Sequence, residues 1–266
     1  MKKVFVITGS TSGIGNALLR NLVIDNTVFA GYRNEKHAEN LENLGAIPFY
    51  IDMERPTSIA QATAFIKSKT DSIDVMINVA GCVVAGVMEN LPIYEVRKQF
   101  QVNTFSHLEF AQKLLPILKD KVINISSMAS FGMFPYIAPY CASKRALDIL
   151  FNGMALESGI KVVSVKPGVI ATPLWEKSIE INRNAIKNCG EHEKEMKFLV
   201  ENAHKNGQNG LKPEKVVDLV LKIIDNENPK PSYTIGIDAK LAEMFSRLPF
   251  DLQNKLIKTG MKMRIR

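Results

Sequence analysis

The strongest constraint on the fold is a glycine-rich turn that lies between a short apolar run and an amphipathic segment near the N-terminus. Residues 4–7 are all apolar, and residues 8–15 read TGSTSGIG. Ile14, Leu18 and Leu22 then recur at helical spacing. A strand, a tight turn and a helix in this order leave unpaired N–H groups at the helix N-terminus, where the helix dipole favours an anion. The turn therefore predicts a site for the pyrophosphate of a dinucleotide.

The three glycines of the turn have separate tasks in this prediction. Gly9 permits the tight turn, Gly13 lets the backbone approach a phosphate closely, and Gly15 lets the helix pack on the strand. Glycines also end strands in proteins that bind no ligand, but the strand–turn–helix context favours binding. The residues predicted to contact the cofactor here are Gly9, Thr11, Ser12, Gly13, Ile14 and Gly15.

The same alternation of short apolar runs and helix-length segments continues along most of the chain. The runs are residues 4–8, 28–32, 47–51, 75–79, 122–126 and 162–165, and residues 233–237 read as a last strand. Apolar strands separated by helices predict a parallel sheet that is covered on both faces. With right-handed crossovers, the pattern predicts a doubly wound α/β sheet of about seven strands, with a ligand crevice at the strands' carboxyl ends.

The 266 residues contain no linker that would divide them, so we expect one domain over residues 1–266. The alternation of apolar runs and helix-length segments is lost in residues 174–210, which are rich in Lys, Glu and Asn. We predict that this segment forms a helical substrate lid over the crevice. Residues 238–266 are predicted to be a C-terminal helical extension, whose helix over 241–261 breaks near Pro249.

The net charge of +7 is concentrated at the C-terminus rather than spread over the fold. No acidic residue follows Leu252, whereas five cations do, and without them the chain is near +2. These cations are Lys255, Lys258, Lys262, Arg264 and Arg266. A nucleic-acid surface over the fold is therefore not expected. We interpret the tail as a solvated helix end, where cations are favoured, and keep contact with an anionic membrane or acidic partner as the alternative.

The cysteines and histidines indicate a reduced protein without a metal site. Cys82, Cys141 and Cys189 are odd in number and far apart, which is typical of free thiols in a cytoplasmic protein. The four histidines form no HExxH motif and no cluster with cysteine, so no metal ion is expected. The apolar run of residues 4–7 is too short for a signal peptide.

The end of the second predicted strand has a basic residue where a carboxylate would favour NAD. Residues 30–34 read AGYRN, and no acid occurs before Glu35. The planar guanidinium of Arg33 is suited to the 2′-phosphate of NADP, helped by the hydroxyl of Thr11 or Ser12. The sequence therefore predicts NADP(H) in preference to NAD(H), with a surface arginine at a strand end as the alternative interpretation.

Tyr140 and Lys144 lie four residues apart, on one face of a helix that is predicted to begin near Pro139. Ser127 follows the predicted strand that ends at residue 126, thirteen residues before Tyr140. A phenol has a pKa near ~10 and is a poor base at neutral pH, and an adjacent positive charge is a physical means of lowering that pKa. A buried Tyr–Lys pair alone is more often structural, so the interpretation depends on the accompanying motifs.

Those motifs, taken together, resemble the short-chain dehydrogenase/reductase family over about residues 2–240. They are the glycine-rich turn, Asn78-Val79-Ala80-Gly81, Asn103, Ser127, Tyr140-x-x-x-Lys144, and Pro167-Gly168 with Thr172. One departure is Val79, where the family more often has a second Asn. The helix beyond the last strand resembles the branch that contains retinol and 17β-hydroxysteroid dehydrogenases. The resemblance implies a Rossmann-type fold and an NADP-dependent oxidoreductase for a hydrophobic alcohol or ketone.

The resemblance also implies a role for each matched residue. Tyr140 would be the general acid for carbonyl reduction or the base for alcohol oxidation. Lys144 would hold the nicotinamide ribose and stabilise the phenolate, and Ser127 would hydrogen-bond the substrate oxygen. Asn103 would hold a water molecule that relays protons toward Lys144.

The remaining matched residues would bind the cofactor. Asp52 and Met53 would meet the adenine, and Asn78, Ala80 and Gly81 would pass the adenosine ribose. Pro167, Gly168 and Thr172 would fix the carboxamide, so that one face of the ring presents its hydride.

The substrate wall is predicted to come from residues 82–84, residues 128–137 and the start of the lid at Leu174-Trp175. The side chains expected to make it apolar are Phe131, Met133, Phe134, Tyr136 and Trp175. A homodimer or homotetramer through the helices near residues 91–119 and 138–157 is expected. The alternative function is a non-catalytic NADPH-binding sensor on the same fold.

Overall fold

Seven strands form one parallel sheet, and helices connect them. The computed structural model describes residues 2–265, and the side chains of residues 2–261. The strands are Val4–Ile7 (β1), Thr27–Tyr32 (β2), Ile47–Tyr50 (β3), Ile73–Asn78 (β4), Leu118–Ile125 (β5), Lys161–Pro167 (β6) and Ser232–Ile235 (β7). Each apolar run identified in the sequence is therefore a strand, with bounds that differ by a few residues.

The strand order across the sheet is β3-β2-β1-β4-β5-β6-β7, and every neighbouring pair is parallel. The chain builds outward from β1 to β3, then returns and builds from β4 to β7 on the other side of β1. This reversal places a crevice at the carboxyl ends of β1 and β4. The doubly wound α/β sheet that the sequence predicts is confirmed.

Helices cover both faces of the sheet. They are Gly13–Leu22 (α1), Ala38–Asn43 (α2), Pro56–Lys67 (α3), Ile93–Phe100 (α4), Ser106–Leu114 (α5), Ala138–Ser158 (α6), Leu174–Ile181 (α7), Arg183–Lys187 (α8), Glu193–Asn209 (α9), Pro213–Asp225 (α10), Ile237–Phe245 (α11) and Phe250–Ile265 (α12). Successive side chains of β1 point to opposite faces. Phe5 and Ile7 pack in the cluster with α1 and α10, and Val6 packs in the cluster with α3, α5 and α6.

Strand β5 begins at Leu118, four residues before the apolar run that predicted it. The predicted run begins after Lys121, which is part of the strand and is fully buried. Its ammonium group donates hydrogen bonds to the carbonyl oxygens of Ile223, Ile224 and Asn226, at 3.1, 3.0 and 2.9 Å. These carbonyls lie at the C-terminal end of α10, where a helix has unpaired acceptors and attracts a cation.

The predicted lid over residues 174–210 contains α7, α8 and α9, and the predicted break near Pro249 separates α11 from α12. The helix predicted from the spacing of Ile14, Leu18 and Leu22 is α1, which ends at Leu22. The side chains of Lys262, Arg264 and Arg266, three of the five cations of the basic tail, lie outside the described residues. Between residues 2 and 265, no helix is long and apolar enough to cross a bilayer.

Candidate active site

The glycine-rich turn between β1 and α1 holds its backbone in a form that larger residues do not tolerate. Gly9 and Gly13 have φ angles of 68° and 55°, in the left-handed region that favours glycine. A Cβ atom on Gly9 would lie 2.8 Å from the amide nitrogen of Ala80, and one on Gly15 would collide with the Gly9 carbonyl oxygen. The turn therefore lies directly against the end of β4 and the start of α1.

The N-terminus of α1 is open to an anionic ligand. Ser12 precedes the helix in an extended conformation, and its side chain makes no capping hydrogen bond. The first N–H groups of the helix are therefore left for a ligand. Lys177, from α7, donates a hydrogen bond to Ser12 Oγ at 3.3 Å. The absence of Cβ atoms on the glycines, the free N–H groups and the ammonium group of Lys177 fit a pyrophosphate. Thr11, Gly13 and Ile14 border the cavity in which this ligand would lie.

Arg33, which directly follows β2, lies close to two other charged side chains. Its Nη1 lies 3.6 Å from Glu54 Oε1, and the ammonium group of Lys98 lies 3.2 Å from the same oxygen. All three side chains border the cavity. Lys98 comes from α4, far along the chain from β2, so no local signal in the sequence associates it with Arg33. The carboxylate of Glu35 does not pair with Arg33. It accepts a hydrogen bond from the Tyr32 hydroxyl at 3.1 Å instead.

Asp52 and Met53 follow β3 and border the cavity beside Arg33. The Asp52 carboxylate accepts a hydrogen bond from the Glu54 amide at 3.0 Å and lies 3.4 Å from Arg55 Nε. Ser106 Oγ donates to the Met53 carbonyl oxygen at 2.6 Å. These contacts hold the segment after β3 against the start of α5.

Ser127 and Tyr140 form a hydrogen-bonded pair at the inner end of the cavity. Ser127 follows β5 directly, and Tyr140 lies in the first turn of α6. Burial raises the pKa of Tyr140 to about 12, although the hydrogen bond with Ser127 acts to lower it. The sequence-based expectation was a pKa lowered by Lys144. In the structure burial dominates instead, and the phenol keeps its proton.

Lys144 lies one helical turn after Tyr140 and is buried. Its ammonium group donates a hydrogen bond to the Ile125 carbonyl oxygen at 2.9 Å. Burial lowers the pKa of Lys144 to about 8, against the charge of Asp148, which acts to raise it. Asp148, one turn further along α6, is itself buried and pairs with the buried Lys166 at 3.0 Å. The sequence analysis missed Asp148, although its spacing of four residues from Lys144 was a usable signal.

Asn103 lies in a π-helical turn, Gln101–Phe105, between α4 and α5. Its Nδ2 donates to the Cys82 carbonyl oxygen at 3.0 Å and to Ser143 Oγ at 3.1 Å, and its Oδ1 accepts from the Cys82 amide at 2.9 Å. Both amide hydrogens of the side chain are therefore already engaged. Asn103 connects the segment after β4 to the helix that carries Tyr140 and Lys144.

The segment after β4 approaches the cavity through its backbone. Ala80 and Gly81 border the cavity, whereas the Asn78 side chain is buried and donates to Asn124 Oδ1 of β5 at 2.8 Å. The structure therefore does not bring the Asn78 side chain to the predicted ribose site. His107 lies 2.8 Å from the Ala80 carbonyl oxygen, and burial lowers its pKa to about 3, so it is neutral. Among residues 2–265, no three His, Cys, Asp or Glu side chains lie close enough to hold a metal ion.

The loop after β6 is held by the C-terminal extension. Pro167, Gly168 and Thr172 border the cavity, as predicted for a carboxamide site. Asp238, at the start of α11, accepts a hydrogen bond from the Val169 amide at 2.6 Å. A Cβ atom on Gly168 would collide with that carboxylate. The sequence analysis missed Asp238, because a lone acidic residue seventy positions along the chain gives no local signal.

One continuous cavity of about 630 Å³ runs from the glycine-rich turn, past Ser127 and Tyr140, to the helices α7, α8 and α9. Its inner part is bordered mainly by apolar side chains, among them Val83, Phe134, Trp175, Ile179, Ile186 and Leu199. Phe134 and Trp175 were both predicted to line it. Trp175 Nε1 donates to the Ile170 carbonyl oxygen at 2.7 Å, which fixes the start of the lid.

Three side chains that were predicted to line the substrate pocket lie elsewhere. The Phe131 ring packs against the ammonium group of Lys166, 4.5 Å from its centroid, in a cation–π contact. Met133 is exposed. Tyr136 has a φ of 65°, and its hydroxyl lies 3.3 Å from Nδ1 of His192. For these three residues the prediction was wrong, because the loop before α6 turns their side chains toward Lys166, the solvent and the lid.

Residues 3–183 match the family described as short chain dehydrogenase. An NADPH-dependent 3-dehydrocapnine reductase from Ornithobacterium rhinotracheale is 28% identical over 250 residues, which cover 87% of each chain. A 3-ketodihydrosphingosine reductase from Bacteroides thetaiotaomicron is 29% identical over 259 residues, which cover 93% of each chain.

Among solved structures, a short-chain dehydrogenase from Streptomyces avermitilis matches with a TM-score of 0.75 and 22% identity. The match covers 99% of this chain and 98% of that chain. At this level of identity, the agreement concerns the fold.

Proposed function

The chain belongs to the short-chain dehydrogenase family, and we propose that it reduces the carbonyl group of an apolar substrate with NADPH. One observation carries this proposal. A single cavity connects the anion-binding turn of α1, the hydrogen-bonded Ser127–Tyr140 pair and the apolar lid. The cavity therefore offers adjacent sites for the cofactor and the substrate, with the proton donor between them. The intact set of Ser127, Tyr140 and Lys144 argues against the alternative of a non-catalytic NADPH-binding sensor.

In this proposal, bound NADPH supplies a hydride to the carbonyl carbon. Ser127 Oγ donates a hydrogen bond to the carbonyl oxygen, and Tyr140 delivers its proton to that oxygen as negative charge develops there. The pKa of about 12 supports the direction, because it keeps the proton on Tyr140 until an alkoxide forms. The charge of Lys144 then stabilises the phenolate left on Tyr140.

In this proposal, other residues of the chain bind and orient the cofactor. The turn and α1 hold the pyrophosphate, Asp52 and Met53 meet the adenine, and the backbone after β4 passes the ribose. The loop with Pro167, Gly168 and Thr172 holds the carboxamide. Because both side-chain amide hydrogens of Asn103 are engaged, its proton-relay water would have to donate a hydrogen bond to one of the oxygens of Asn103.

The apolar inner cavity supports a hydrophobic substrate. Burying apolar surface contributes about 25 cal/mol per Å², so an apolar chain gains affinity there with each added carbon. Two relatives are named as reductases, one of a 3-keto compound and one as NADPH-dependent. These names agree with reduction as the direction of the reaction.

Asp148 should set the pH range of the reaction through Lys144. Burial lowers the pKa of Lys144 to about 8, so wild-type kcat should fall as pH rises through that value and the ammonium charge is lost. Asp148→Asn removes the charge that raises this pKa, so the fall should begin at lower pH. The measurement is a kcat profile against pH for both proteins.

The matched control for this profile is Asp120→Asn, which removes a carboxylate paired with Lys121 and Lys161 outside the cavity. Its profile should coincide with that of the wild type. A shift in the Asp148→Asn profile toward higher pH, or no shift, would reject the role of Asp148.

Arg33→Ala should weaken NADPH binding by about tenfold or more, while the Kd for NADH changes less than about threefold. The reason is that only NADPH carries the 2′-phosphate on which the guanidinium can act. The Kd values can be measured by the fluorescence of the reduced nicotinamide. Arg145→Ala, which removes an exposed arginine outside the cavity, should leave both values unchanged.

Glu54→Gln tests whether the part of the cavity beside Arg33 prefers NADP or NAD. The Glu54 carboxylate faces Arg33 and Lys98. It would repel a 2′-phosphate, whereas it would accept a hydrogen bond from a ribose hydroxyl. We expect the substitution to strengthen NADPH binding. Weaker NADH binding with unchanged NADPH binding would instead identify an NAD site.

We further infer a homodimer or homotetramer through α4, α5 and α6. Support comes from large apolar side chains exposed on α4, on α6 and on the turn between α4 and α5, among them Ile93, Tyr94, Phe105 and Ile149, with Leu156 exposed at 90%. Burial of such a patch against a second copy would stabilise the association.

A cytoplasmic location is also part of the proposal. Cys82, Cys141 and Cys189 are free, and Cys141 and Cys189 are buried. Free thiols are typical of proteins in a reducing compartment. Burial raises the pKa of Cys82 to about 11, so this thiol beside the cavity is not a reactive thiolate.

A further inference from the structure

Helices α11 and α12 each expose several large apolar side chains. Ile237, Leu241 and Met244 recur at i, i+4 and i+7 on α11, so they share one side of that helix. Ile237 is 81% exposed and Met244 is 65% exposed. The exposed side chains continue into α12. We call the whole set the C-terminal face, and its members are Ile237, Leu241, Met244, Phe250, Leu252 and Leu256.

Three lysines that form no ion pair among the described residues lie on the same two helices as the C-terminal face. Within residues 2–261, no carboxylate forms an ion pair with Lys240, Lys255 or Lys258, and all three lysines are exposed. The sequence adds three more cations after residue 261 and no acid.

The acidic side chains of α11 are engaged within the protein. Glu243 accepts hydrogen bonds from Thr234 at 2.8 Å and from Arg247 at 3.2 Å. Asp238 accepts from the amides of Val169 and Ala239. Asp251, between Phe250 and Leu252, is an exposed carboxylate. In residues 237–261 four cations face three acids, and the three cations after residue 261 make the charge of this segment clearly positive.

The face adjoins the reaction site. Asp238, in the first turn of α11, holds the loop after β6 through its hydrogen bond with Val169, and Val169 borders the cavity. Helix α11 also packs against the turn Met128–Phe131, which directly follows Ser127. Whatever covers the C-terminal face is therefore close to the carbonyl-binding end of the cavity.

We propose that the C-terminal face docks on an anionic phospholipid surface, next to which the apolar substrate enters the cavity. An apolar stripe flanked by lysines is the pattern of helices that lie in the interface plane of a membrane. The charge distinguishes this occupant from a second copy of the chain. A two-fold contact sets the same patch against itself, so it would bring the lysines of both copies together, whereas anionic headgroups neutralise them.

The test is co-sedimentation of the full-length protein with vesicles of phosphatidylcholine, with and without phosphatidylglycerol. We expect binding to the anionic vesicles that exceeds binding to the neutral ones by about tenfold and declines with added salt. Leu241→Ser with Met244→Ser should lower it by about tenfold, because the buried apolar area is lost. Lys255→Gln with Lys258→Gln should lower it by a similar factor.

The control is Ile24→Ser, which removes an apolar side chain that is 74% exposed and lies outside the C-terminal face. It should leave vesicle binding unchanged. NADPH binding by each variant shows that it is folded, and this readout is independent of docking, so failure of the proposed activity would not affect the test.

Two results would overturn the proposal. One is no binding to anionic vesicles, or equal binding by the wild type and the Leu241/Met244 variant. The other is a drop in the subunit number of the Leu241/Met244 variant by light scattering, which would show that a second copy covers the face.

Discussion

Tyr140→Phe should lower kcat for carbonyl reduction by about 10³-fold or more. The variant loses only the hydroxyl group, which is the proton donor of the proposed reaction and the partner of Ser127. The ring remains, so the packing of α6 and the cavity wall should be kept. We therefore expect the Kd for NADPH to stay within a few-fold of the wild-type value. The measurements are steady-state kinetics and a fluorescence titration on the same preparation.

The matched control is Tyr136→Phe, four residues earlier. Its hydroxyl contacts His192 of the lid and is not part of the cavity wall. This variant should keep kcat within a few-fold. Turnover retained by Tyr140→Phe would place the chemistry on another group. A large loss of NADPH affinity in the same variant would show that Tyr140 acts through structure rather than proton transfer.

Gly15→Ala should weaken NADPH binding by about 100-fold or more and lower the free energy of unfolding by about 3 kcal/mol. A Cβ atom at this position would collide with the carbonyl oxygen of Gly9 and approach Ser10 Cα to 3.3 Å. Both neighbours are backbone, so they cannot rotate away. The start of α1 must move off the turn, and its N–H groups leave the pyrophosphate site. Chemical denaturation and the NADPH titration measure the two effects.

Gly132→Ala is the control for this substitution. A Cβ atom on Gly132 would meet no heavy atom within 4 Å beyond its two chain neighbours, and its backbone is extended. Stability and NADPH affinity should both stay near wild type. If Gly15→Ala bound NADPH as tightly as the wild type, the turn would not be the pyrophosphate site.

The parts of the fold that follow local rules could be predicted from the sequence. Apolar runs bounded by turn residues gave all seven strands, since a strand buried on both faces is apolar at every position. The turn of residues 8–15 could also be predicted, because its glycines are needed for backbone geometry rather than for contacts. Tyr140 and Lys144 were recognisable through their helical spacing.

The contacts that join distant segments could not be predicted in this way. Lys121 lies just before the apolar run of residues 122–126, but it belongs to β5 and caps the C-terminal end of α10. Glu54 and Lys98 meet Arg33 only because the sheet order brings β2, β3 and α4 together. Asp238 follows the last strand, β7, and holds the loop after the neighbouring strand β6. Each contact depends on the tertiary arrangement, and a single sequence carries no local signal of it.

The most direct test of the proposed function is the oxidation of NADPH by the wild-type protein with ketones of increasing apolar chain length. The account predicts that kcat/KM rises by about three- to fourfold with each added methylene until the cavity is filled. It also predicts that Tyr140→Phe removes this activity across the series. Tight NADPH binding without turnover of any ketone, or a rate that neither depends on chain length nor on Tyr140, would contradict it.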